Sequence, residues 1–116
     1  MPIHPKWLER HYRHFHEALR GAERGDDHWA CYNAYVSIRA LLMGVLGKDP
    51  YAPEAGFYSL PSLARKALPK LDPEAEKCAS CLEAWFGKPA LRCLHCAELL
   101  AEALQVALRG QKLAET

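Results

Sequence analysis

The chain is poor in sheet-forming residues: Ile, Val and Thr together fill 6 of its 116 positions, whereas Ala and Leu fill 35. β-branched side chains favour strands and Ala and Leu favour helices, so a β-rich fold is close to excluded. No charge of one sign predominates either, with 15 basic against 14 acidic side chains and a formal net charge of +1. A dedicated binder of nucleic acid or of an anionic membrane carries a large basic excess, and this chain gives no such signal. No run approaches the ~18 apolar residues of a membrane span. Within the first fifteen residues, His4, Lys6, Glu9, Arg10, His11, Arg13 and His14 interrupt the apolar stretch a signal peptide needs. The expected compartment is the cytoplasm, with no membrane association. Amides are scarce, one Asn and two Gln, a deficit that fits a thermophile-like composition. No G-x-G-x-x-G, G-x-x-x-x-G-K-[ST] or G-x-S-x-G occurs, so nucleotide loops and hydrolase elbows find no support. The acids Glu74, Glu76 and Glu83 fall on solvent faces. No catalytic residue is assigned.

What is present reads as one globular domain over 1–116, half apolar and a quarter charged. Pro5 suits a first helical turn. Leu8, Tyr12, Phe15, Leu19 and Ala22 then make one stripe of a helix. Gly25 breaks the chain, and Asp26 or Asp27 caps a second helix from about His28 to Leu46. Trp29, Tyr32, Val36 and Met43 lie on one side of it and Tyr35, Ile38, Leu42 and Val45 widen its apolar surface, so this helix is expected at the centre. A loop with Pro50, Pro53 and Gly56 follows. Ser59 or Ser62 opens a short helix ending before Pro69, and Asp72-Pro73-Glu74 starts a fourth, to about Phe86. Gly87-Lys88-Pro89 forms a corner, and a fifth helix runs from about Ala90 to Arg109, with Gly110 as its stop. Short corners favour antiparallel neighbours. The fold expected is all-α, an up-and-down bundle of four long helices plus one short one.

The sharpest chemical feature is a pair of C-x2-C motifs, Cys78/Cys81 and Cys93/Cys96, placed symmetrically about Gly87. Folding back at Gly87 sets Cys81 opposite Cys93 and Cys78 opposite Cys96. Facing Cα atoms of packed helices stand roughly 3.5–5.5 Å apart, within disulfide reach. Three readings stay open: two disulfide staples, a zinc ion held by all four thiolates, and four small residues filling a tight contact. Cys31, left over on the second helix, reads as plain core. His11 and His14 sit one turn apart with no acidic partner beside them and read as solvated. The aromatics Trp7, Tyr12, Phe15, Trp29, Tyr32 and Tyr35 recur at helical spacing and read as core. Three tryptophans leave apolar area to spare, and a homodimer is expected.

The stretch Gly25-Asp26-Asp27-His28-Trp29-Ala30-Cys31-Tyr32-Asn33-Ala34, continuing through Ile38-Arg39-Ala40-Leu41-Leu42, resembles the HEPN (higher eukaryote and prokaryote nucleotide-binding) domain family. Tyr58-Ser59-Leu60-Pro61-Ser62-Leu63 and Ala90-Leu91-Arg92 fit its later elements, so the likeness spans about residues 10–109. It implies a small helical bundle, often dimeric, that partners a minimal nucleotidyltransferase or acts as a metal-independent ribonuclease. Ribonuclease members carry R-x4–6-H near the last helix. Here His95 follows Arg92 too soon, and Arg10 and His16 do not share a helix face. The resemblance therefore implies a non-catalytic binding module, with Arg39, Arg92 and His95 as candidate binding residues. A small four-cysteine metal or thiol-redox protein is the alternative, and a ribonuclease the third.

Overall fold

The computed structural model of the chain describes residues 3–52 and 58–114, with side chains through 105. Expectations on Pro53 and Gly56, and on the side chains of Ala107, Leu108 and Arg109, lie outside the described residues. Five helices form: α1 Pro5–Glu23, α2 Asp27–Val45, α3 Leu60–Ala67, α4 Pro73–Glu83 and α5 Ala90–Ala114. Among the described residues there is no strand. No helix among them is long and apolar enough to cross a membrane.

The helix starts follow from their caps. Asp26 accepts from the Trp29 amide at 3.0 Å, Ser59 from Ser62 at 3.3 Å and Asp72 from Ala75 at 2.8 Å, each satisfying a donor with no partner inside the helix. Gly25 and Gly87 take φ of 72° and 83° to turn the chain after α1 and α4, a conformation that side-chain-bearing residues rarely adopt. Two boundaries differ from expectation. α4 stops at Glu83, because residues 84–87 are spent on the corner. α5 passes through Gly110 to Ala114, since one interior glycine costs a helix only about 1 kcal/mol.

α2 is the hub and packs against all four other helices. Its Ala30, Cys31, Ala34, Ile38 and Leu42 are wholly buried. α1 turns a different face inward than its stripe suggested: Trp7, His11, Ala18 and Gly21 are buried, while Tyr12 is 59% exposed. The reason lies at Gly21, where an added Cβ would stand 2.8 Å from the Ala30 backbone nitrogen. Only small residues allow that approach, so α1 rotates to put Ala18 and Gly21 against α2. Trp29 and Tyr32, read as core, remain 38% and 41% exposed.

Candidate functional site

The cysteines divide differently from the symmetric scheme. Cys93 is bonded to Cys31, with Cα atoms 5.2 Å apart, and Cys78, Cys81 and Cys96 are free thiols. This corrects both the Cys81–Cys93 pairing and the reading of Cys31 as plain core. The cause is helical geometry. Cys93 and Cys96 are offset by about 60° around α5, and α5 packs between α2 and α4. One sulfur therefore reaches α2 and the other reaches α4. Cys96 does meet Cys78, as the fold-back at Gly87 predicted, and Cys81 stands beside them. Burial, reinforced by the Cys78 and Cys81 thiols, pushes the Cys96 thiol well above the ordinary range. With Cys93 engaged, the four-thiolate zinc set is not assembled. Among the described residues no three His, Cys, Asp or Glu side chains are disposed to hold a metal ion.

The disulfide lies where two helix starts and one corner converge. The Cys31 sulfur is 3.3 Å from the Lys88 carbonyl oxygen and 3.6 Å from that of Pro89. Asp27, the first residue of α2, accepts from the Ala90 amide at 3.0 Å and so caps α5 from another helix. Sequence reasoning missed this role, although a second acid beside an already adequate cap was the available signal.

Outside this junction an aromatic cluster faces solvent. Trp85 packs edge-on against His28 at 5.0 Å, Tyr32 at 5.5 Å and Phe86 at 5.8 Å between ring centroids, and Trp29 adjoins Tyr32 at 6.5 Å. Phe86 is 78% exposed, and Leu91 just beyond the corner is 79% exposed. Arg92 and His95 are exposed on α5 and make no hydrogen bond or ion pair among the described residues, while Arg39 is half-buried on α2.

The histidines of α1 also depart from the solvated reading. His11 is buried, its Nδ1 lying 3.0 Å from the Ser37 carbonyl oxygen. A carbonyl only accepts, so Nδ1 carries the proton. Ser37 Oγ in turn donates to the His11 carbonyl at 2.9 Å. Burial lowers the His11 pKa below the ordinary imidazole value, with the Ser37 hydrogen bond opposing that shift. His14 Nδ1 donates to Asn33 Oδ1 at 2.9 Å, and Asn33 Nδ2 donates to the Trp29 carbonyl at 2.9 Å. These two sets of hydrogen bonds hold α1 to α2. Elsewhere, an open groove of about 600 Å³ runs between the α3–α4 link and α5, lined by Leu68, Pro69, Ala75, Leu99 and Ala103. Compared with family models, curated proteins and solved structures, the chain matches none.

Proposed function

We propose that this chain is a HEPN-like helical module that works by binding and assembly, without catalysis, in the cytoplasm. The observation that carries the reading is the aromatic cluster at the α2 start and the α4–α5 corner, in which exposed Trp29, Tyr32 and Phe86 gather around half-buried Trp85. Rings of this size are costly to leave in water, and aromatic residues anchor protein interfaces. Further support comes from the helical order, with an acidic turn opening a long central helix of small residues, as the resemblance requires. An up-and-down path of four longer helices and one short one completes the proposed architecture. The tight corners at Gly25 and Gly87 favour it.

The proposed occupant of the aromatic face is a second copy of the chain. A minimal nucleotidyltransferase is the further partner that the resemblance implies. Light scattering at tens of micromolar is expected to give twice the monomer mass of 13.1 kDa. Phe86→Ser combined with Leu91→Ser removes the two most exposed apolar side chains at the corner and should return the monomer mass. A monomer for the unaltered chain, or a dimer untouched by the double substitution, would overturn this reading.

A further inference from the structure

The five cysteines form a graded path from solvent to core. Cys81 is half-buried, Cys78 and Cys96 are 5% and 3% exposed, and Cys31 and Cys93 are wholly buried. Cys96 stands one helical turn from Cys93 on α5, offset by about 60° with Cβ atoms within about 6 Å, and beside Cys81 and Cys78 of α4. Among the described residues, no other part gathers nucleophilic side chains around an oxidised bond. A buried disulfide of this kind is closed to direct attack by a dissolved thiol, and a reactive thiol needs both access and a partner in line.

We propose that Cys96 and Cys81 form a thiol–disulfide relay that carries reducing equivalents from solvent to the buried Cys31–Cys93 bond. In the first step the Cys96 thiolate attacks Cys93 Sγ. The Cys31–Cys93 bond breaks, a Cys93–Cys96 bond forms, and Cys31 leaves as a thiolate that takes up the proton Cys96 released. The new Cys31 S–H already has acceptors, the Lys88 and Pro89 carbonyl oxygens at 3.3 and 3.6 Å, so the reduced form leaves no polar group stranded. In the second step the Cys81 thiolate attacks Cys96 Sγ, freeing Cys93 as a thiol. Two sulfurs have been reduced and two oxidised, with no outside reagent. The disulfide now ends at a half-buried sulfur, where two molecules of a small thiol reduce it to thiols and leave as their own disulfide. The raised pKa of Cys96 keeps its thiolate scarce, so the relay is slow at neutral pH and the buried bond persists.

The test is the rate at which glutathione reduces Cys31–Cys93 in the folded full chain, followed by acid quench, alkylation and peptide mapping. Cys96→Ala and Cys81→Ala should each slow reduction by about tenfold or more, while Cys78→Ala, which removes a neighbour that holds the Cys96 thiol protonated, should leave it as fast or faster. Partial reduction of the unaltered chain should yield a species linking Cys81 to Cys96 with Cys31 and Cys93 alkylated. Circular dichroism checks that each variant folds, and Cys96→Ser replaces the alanine variant if that one does not. An unchanged rate in the Cys96 variant would mean that the bond is reached by local opening and would overturn the relay. Slowing by Cys96 substitution alone, with Cys81→Ala unaffected, would overturn Cys81 as the outlet. Failure to trap the Cys81–Cys96 species would overturn the second step.

Discussion

Reducing the Cys31–Cys93 disulfide should lower stability by about 4 kcal/mol. The bond joins residues 62 apart in sequence, and loop-closure entropy for a ring of that size gives this magnitude, acting mainly on the unfolded chain. Little of it should be lost to poor solvation of the new thiols, since Cys31 keeps two carbonyl acceptors. In a domain of this length each 1 kcal/mol moves Tm by about 4 °C, so the reduced protein should melt about 15 °C below the oxidised one. Calorimetry of the same preparation with and without a phosphine reductant isolates the effect, because no side chain is changed. Urea unfolding supplies a second readout: the slope of stability against denaturant should rise on reduction, as an uncross-linked chain exposes more surface. A reduced protein melting within about 3 °C of the oxidised one would refute the reasoning. So would Cys31→Ala behaving the same whether or not reductant is present at a Tm equal to that of the oxidised protein.

Gly21→Ala should destabilise by about 2 kcal/mol in urea titrations, because its Cβ would press on the Ala30 backbone, which cannot move as a side chain can; a stabilised variant would show that α1 and α2 do not approach so closely. Stability should be constant above the ordinary imidazole pKa and fall as pH drops below about 6.5, since the unfolded chain takes up a proton that buried His11 resists. His11→Gln should flatten that fall, and an unaltered slope between pH 7 and 5.5 in the variant would be the contrary result. Single-stranded and transfer RNA incubated without metal should remain intact. Cleavage that disappears in Arg92→Ala or His95→Ala would contradict the non-catalytic reading.

The helical class and most helix starts were legible because they rest on local chemistry: Pro5, Asp26, Ser59 and Asp72 act within their own first turns. The faces were less legible. The spacing of Leu8, Tyr12 and Leu19 describes an apolar stripe correctly, but the choice of face depends on how near α2 comes, and Gly21 and Ala18 settle that. Asn33 and Ser37, one turn apart on α2, meet His14 and His11, one turn apart on α1; the histidine spacing alone reads as solvated, and its partners lie on another helix. At the cysteines, symmetry about Gly87 placed Cys78 by Cys96 but carried no information on a third helix. The bond from Cys93 to Cys31 joins helices far apart in sequence, and no spacing within α4 and α5 foretells it.

That same bond has a consequence for the fate of a damaged chain. Pro69 and Lys70 are exposed in the link between α3 and α4, the sort of segment where proteases nick folded proteins. Every peptide bond there lies between residues 31 and 93, so one cut severs the backbone without releasing a fragment. The two pieces stay joined through sulfur, their contacts in the core remain at high effective concentration, and the nicked protein keeps its mass until a thiol reaches the junction. Loss of the protein through such a cut then takes two chemically distinct events, hydrolysis and reduction, in either order.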